Sequence, residues 1–172
     1  DGDFRNPSQT TLWAQSIDKE ATKDRTQVGL SDVLSGKVTF NEAIYSPIAR
    51  LDLVAAGQTK VNPLNLIDSS EMGTLLEELK QNYKTIIIDA PPLLVSADVL
   101  ILSKMVDGII FVARLGVVEK ETAMAARENL VNSGQQILGL IINGVESQEF
   151  DRYLYYDKKY YNISSFRKKS AF

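Results

Sequence analysis

The sequence predicts an α/β fold, a parallel β-sheet flanked by helices. Short β-branched runs end abruptly at Pro or Gly, amphipathic stretches with helical spacing lie between them, and the two kinds alternate along the chain. Strand and helix in alternation imply a parallel sheet with helices packed on it.

The elements follow in order. The segment from Gln9 to Gln27 is mostly polar, with Trp13 as its only aromatic residue, and reads as a long loop with some helix. "VGLSDVLSG" reads as a short helix closed by Gly36, and Tyr45 falls in a helix beside Pro47. "LDLVAAG" (Leu51 to Gly57) is a weak strand. Met72, Leu75, Leu76 and Leu79 share one helical face, with Ser69 or Ser70 as the cap. "KTIIIDAPP" (Lys84 to Pro92), "DGIIFVARLG" (Asp107 to Gly116) and "QQILGLIING" (Gln135 to Gly144) have the composition of buried parallel strands, apolar on both faces. Between them, Val99 to Met105 reads as a short helix and Glu119 to Ser133 as a longer one that stops at Gly134. After Phe150 the chain turns rich in Tyr and Lys/Arg and loses periodicity. We therefore divide it into a domain over residues 1–150 and a flexible tail over residues 151–172.

Composition excludes several chemistries. The 172 residues are 44% hydrophobic and 24% charged, enough for one domain with a sizeable core. A net charge of −3 argues against nucleic acid as a partner. With no Cys and no His there is no disulfide, thiolate or His-ligated metal site and no Ser-His or Cys-His nucleophile. No apolar run approaches the roughly 20 residues that span a bilayer, and no signal peptide is visible. Carboxylates, Lys, Arg, Tyr and hydroxyls remain for chemistry.

Ligands of open α/β sheets bind at the carboxyl ends of the strands. Asp89 follows Ile86, Ile87 and Ile88 and precedes Ala90, Pro91 and Pro92. A carboxylate there is costly to desolvate without a partner, and a hydrated Mg²⁺ is a natural one. A helix cap or turn is the structural alternative. Asp1 and Asp3, in "DGDFRNP", add two carboxylates if Asp1 ends a neighbouring strand; the alternative is a solvated turn. A phosphate-binding G-x-x-x-x-G-K-[ST] pattern does not occur in these residues. "GLSDVLSGKVT" is a decoy, because Gly29 and Gly36 are too far apart and Lys37 is followed by Val38.

These segments, in this order, resemble the bacterial tyrosine kinases, the cytoplasmic kinases of capsule and exopolysaccharide export. "DGDFRNP" is similar to their Walker A′ motif and "TIIIDAPP" to their Walker B motif. "GLSDVLSG", "LDLVAAGQTKVNPLNLI", "LGLIINGV" and the tyrosine-rich tail are similar to further family segments. The resemblance implies a P-loop NTPase-like fold of the deviant Walker type, incomplete at the N-terminus: a kinase domain that starts at its second motif, without the first strand and the Walker A loop. It implies ATP and Mg²⁺ as cofactors. Asp89 would hold Mg²⁺ through water with help from Asp3, Asp1 would orient or deprotonate the acceptor tyrosine, and Asn143 would face the adenine. Arg5 would neutralise phosphate charge, or else simply pair with the neighbouring Asp residues. Two departures stand out. The Asn-Pro stretch reads Lys60-Val61-Asn62-Pro63 without the family's preceding proline, and Ser8 stands where proteobacterial relatives carry a tyrosine.

That departure leaves the tail as acceptor. Tyr153, Tyr155, Tyr156, Tyr160 and Tyr161 are the implied phosphorylation sites, and each phosphate adds about −1.5 to −2 charge. The structural alternative is a segment that packs on the domain or touches an anionic surface, where Lys158, Lys159, Arg167, Lys168 and Lys169 would meet lipid. The implied partners are the chain's own or a neighbouring subunit's tail, in a homo-oligomer, and a membrane polysaccharide co-polymerase or activator segment. The implied place is the cytoplasmic face of the bacterial inner membrane. Competing functions are a partition-type ATPase switch, for which such a tail is not expected, and a non-catalytic regulatory module.

Overall fold

A computed structural model describes residues 1–9, 12–13 and 28–145. They fall into two compact units, Asp1–Asp107 and the part from Gly108 onward.

In the first unit, Leu30–Leu34 forms the short helix α1, followed by Gly36 at φ 69 as its predicted stop. One turn of helix, α2 (Phe40–Ala43), begins at Thr39, whose main-chain N–H and hydroxyl both donate to Glu42 at 2.7 Å. The helix expected around Tyr45 ends before it reaches that residue. Tyr45 instead lies in β1 (Ile44–Ile48), antiparallel to β2 (Leu51–Val54). Proline biases the residue before it to extended backbone, and its missing N–H suits a bulge. The register slips between Tyr45 and Ile48, where Pro47 sits.

Asn62 caps α3 (Pro63–Ile67), accepting the Leu64 N–H at 3.1 Å with Pro63 in the first turn. That arrangement gives the Asn-Pro dipeptide a structural use. Helix α4 (Ser70–Asn82) is capped by Ser69, which accepts the Met72 N–H, and it buries Met72, Leu75 and Leu76 as its spacing predicts. Helix α5 (Asp98–Leu102) runs into a 3₁₀ turn at Ser103–Met105. The core joins Leu30, Leu34, Leu66, Ile67, Met72, Leu75, Leu76 and Leu102, with Phe4, Ile86 and Ile88 packed against it.

Helix α1 is set directly on the segment after β2. The Leu30 and Ser31 N–H groups donate to the Ala55 and Ala56 carbonyls at 2.8 and 3.0 Å, which satisfies donors that a helix start leaves open. This crossing leaves no room at Gly29, where a Cβ would lie 2.3 Å from the Gly57 nitrogen and 2.4 Å from the Ala55 oxygen. Gly29→Ala is therefore expected to lose about 3 kcal/mol by overpacking, read as a lower urea midpoint with unchanged slope.

The Lys84 to Pro92 stretch departs from its expected form. No ladder is assigned along it among the described residues. Ile86 and Ile88 meet the core, but Ile87 is 86% exposed, so only one face is buried.

The second unit holds β3 (Ile109–Arg114), α6 (Lys120–Asn132) and β4 (Ile137–Asn143). The two strands pair in parallel, from Ile110 opposite Gly139 to Arg114 opposite Asn143. Helix α6 buries Ala126 and Leu130, and Gly134 follows at φ 77. The strands are not buried on both faces as expected: Ile110, Val112, Leu138, Leu140 and Ile142 are each more than half exposed. Two strands and one helix leave apolar surface over. No helix among the described residues is long and apolar enough to cross a membrane.

Candidate active site

The opening segment is held to the first unit at several points. The Asp1 nitrogen donates to the Val54 carbonyl at the end of β2 at 2.9 Å. The Gly2 N–H donates to the Asp89 carbonyl at 2.8 Å. Residues 1–2 therefore run between the end of β2 and the Asp89 segment, and the side chain of Phe4 packs against the core. This brings Asp1 and Asp3 to the edge where Asp89 stands. Gly2 makes the approach possible: a Cβ there would lie 2.9 Å from both the Asp89 oxygen and Ile88 Cγ2. The sequence reading missed the need for glycine between two aspartates, although a small residue inside D-x-D is its signal.

Each carboxylate has local donors. Asp3 is buried, and its Oδ1 accepts the Arg5 and Asn6 N–H groups at 3.0 and 2.9 Å. Asp1 Oδ1 accepts the Asp3 N–H at 3.2 Å. The side-chain amide of Gln9 donates to Asp89 Oδ2 at 3.0 Å, a contact with no signal in the polar segment that supplies it. Among the described residues no group of three or more possible ligands is arranged to hold a metal ion.

The Arg5 guanidinium reaches past its sequence neighbours to Asp98. Its Nε and Nη2 donate to Asp98 Oδ2 and Oδ1 at 3.1 and 3.3 Å, a two-pronged pair. The Asp98 side chain is 2% exposed and that of Arg5 47%. Burial pushes the Asp98 carboxyl up, but the Arg5 hydrogen bonds, the Ser96 hydroxyl and the Arg5 charge together hold it below its ordinary value. Asp98 is a second residue the sequence reading passed over, because an acidic residue in a first helical turn is ordinary.

A carboxyl lowered on folding stabilises the protein above the ordinary carboxylate range and loses that contribution as pH falls through its folded value. Arg5→Ala should destabilise the protein at neutral pH, because it leaves the Asp98 carboxylate without its guanidinium partner. The gap between the two proteins should narrow as pH falls below the ordinary carboxylate range and through the lowered folded value of Asp98, where the pair is lost in the unaltered protein as well. Urea melts across pH would read it.

Asn143 ends β4, exposed, with its side-chain oxygen accepting the Gly144 N–H at 2.8 Å. It belongs to the second unit. Tyr83, next to the Asp89 segment, donates to Asp52 Oδ2 at 2.8 Å, and the Ser46 hydroxyl bonds the other oxygen of that carboxylate. Tyr153, Tyr155, Tyr156, Tyr160 and Tyr161 lie outside the described residues.

No protein-family model matches the chain. It is 32% identical over 161 residues to tyrosine-protein kinase YwqD of Bacillus subtilis, covering 92% of this chain and 64% of that protein. The chain thus spans less than two thirds of that relative, and 18% of the tyrosine-protein kinase etk of Escherichia coli. Its structure is similar to the VpsO kinase domain, with a TM-score of 0.74 and 28% identity over 84% of this chain and 68% of that one. It is similar too to the kinase domain of the Escherichia coli tyrosine kinase ETK, with a TM-score of 0.74 and 27% identity over 86% of this chain and 55% of that one. The fold is accordingly the P-loop NTPase-like α/β fold of these kinase domains. With aspartates gathered beside Asp89, the chain is similar to bacterial tyrosine kinases both in sequence and in structure.

Proposed function

We propose that residues 1–150 act as part of an ATP-dependent protein-tyrosine kinase that phosphorylates its own tail, residues 151–172, and so regulates polysaccharide polymerisation and export. The observation that carries this is the Gly2–Asp89 backbone bond, which brings the carboxylates of the first motif to the end of the Asp89 segment. Asp89 and Asp3 would hold hydrated Mg²⁺. The chemistry that Mg²⁺ supplies is neutralisation of the charge developing on the transferred phosphoryl group.

Asp1 would accept or orient the proton of the acceptor tyrosine, whose hydroxyl has an ordinary pKa near 10. The γ-phosphoryl group would pass to that oxygen as its bond to ADP breaks. Asn143 would face the adenine. Of the two roles open to Arg5, pairing is the one supported, with Asp98 as the partner. A neighbouring subunit's tail in a homo-oligomer, a membrane activator segment and the cytoplasmic face of the inner membrane complete the proposal.

Calorimetry tests the nucleotide site. These 172 residues carry no Walker lysine in a glycine-rich loop, the part that meets the phosphates directly. The chain alone is expected to show no micromolar binding of ATP·Mg²⁺. A form with a phosphate-binding loop ahead of Asp1 is expected to bind in that range, and its failure to do so would count against the kinase proposal.

A further inference from the structure

Arg5 serves two contacts at once. Its main-chain N–H donates to Asp3 Oδ1 at 3.0 Å, and its guanidinium grips both oxygens of Asp98. Asp98 opens α5, nearly without exposure, and its own N–H donates to the Ser96 hydroxyl at 3.3 Å. Between Asp89 and Asp98 the chain turns at Pro92, whose carbonyl accepts the Val95 and Ser96 N–H groups at 2.9 and 3.3 Å. At the other end the Gly2 N–H is fixed to the Asp89 carbonyl. The contacts close a ring, from Asp89 to Gly2, Asp3, Arg5 and Asp98 and back along the turn to Asp89. One link in that ring, Arg5 to Asp98, is made only by side chains.

We infer that Asp98, acting through Arg5, is a positioning residue that holds the Asp3 carboxylate in register with Asp89. Its catalytic meaning rests on the kinase proposal; the positioning itself rests on the ring. A planar guanidinium suits the task, because its two parallel hydrogen bonds fix orientation as well as distance. A lysine would keep the charge and lose the register. Residues of this kind, behind the groups that hold a metal, typically change metal affinity or activity by 10–100-fold when replaced.

Amide hydrogen exchange on Asp98→Asn and Arg5→Lys tests the positioning without nucleotide. The Gly2, Arg5 and Asn6 amides should exchange about tenfold faster in both Asp98→Asn and Arg5→Lys, while the Leu75 to Leu79 amides of α4 keep their rates. An equal rise in α4 would make the pair a general stabiliser, and unchanged rates at Gly2, Arg5 and Asn6 would show that it holds nothing in place; either overturns the inference. In a kinase form with a phosphate-binding loop, Asp98→Asn should also raise the Mg²⁺ concentration for half-maximal rate about tenfold. An unchanged Mg²⁺ requirement beside faster exchange would overturn the positioning role. The exchange result is independent of the kinase proposal, which fails separately if the unaltered kinase form transfers no phosphate to tyrosine.

Discussion

Asp89→Asn is expected to lower tyrosine phosphorylation by on the order of a thousandfold, to background, in a kinase form with a phosphate-binding loop. The change keeps the shape of the side chain and removes the charge that would hold hydrated Mg²⁺. It should leave the fold alone, because the link from Asp89 to Gly2 runs through the Asp89 main-chain carbonyl. The Gln9 amide now bonded to Asp89 Oδ2 can still be accepted by an amide oxygen. An anti-phosphotyrosine blot reads the activity and circular dichroism the fold. Undiminished phosphorylation would remove Asp89 from the metal site.

Replacing Tyr153, Tyr155, Tyr156, Tyr160 and Tyr161 together by Phe should remove most of the phosphotyrosine while ATP hydrolysis persists. The two tyrosines of the described residues are poor acceptors for physical reasons. Tyr45 is buried, and burial raises its hydroxyl pKa. Tyr83 is raised by burial first, then by its hydrogen bond to Asp52 and by the Asp52 charge. Phosphorylating it would set a dianion beside that carboxylate. Mass spectrometry after incubation with ATP would locate the phosphates. Signal remaining on Tyr83 or Tyr45 would make the tail a packing element rather than an acceptor.

Local rules explain why some elements were legible in the sequence. The α4 face, its Ser69 cap, and the glycine stops at Gly36 and Gly134 each depend on neighbours within a few residues, and each stands as expected. Tyr45 does not lie in the helix its sequence suggests, because Pro47 sits in the slipped register of a hairpin. The composition of the Lys84 to Pro92 run suggests burial on both faces, yet exposure depends on which partners cover each face, and Ile87 is 86% exposed.

At the candidate site the same division holds. Asp1, Asp3 and Asp89 stand out in the sequence because two carboxylates two residues apart, and one directly after an apolar run, are rare enough to notice. The Arg5–Asp98 pair and the Gln9–Asp89 contact join residues 93 and 80 positions apart. No spacing rule reaches that far, and a single sequence gives no means of pairing one carboxylate with one guanidinium among many.

In the proposed kinase this aspartate edge transfers phosphate to tyrosine. The most direct test supplies the kinase form, tail included, with ATP labelled in its γ-phosphate and identifies the labelled amino acid after hydrolysis of the protein. The kinase account predicts label on phosphotyrosine, dependent on Mg²⁺ and absent in Asp89→Asn. Brisk release of labelled inorganic phosphate with no label on tyrosine would contradict it and would assign the chain to the ATPase switches instead.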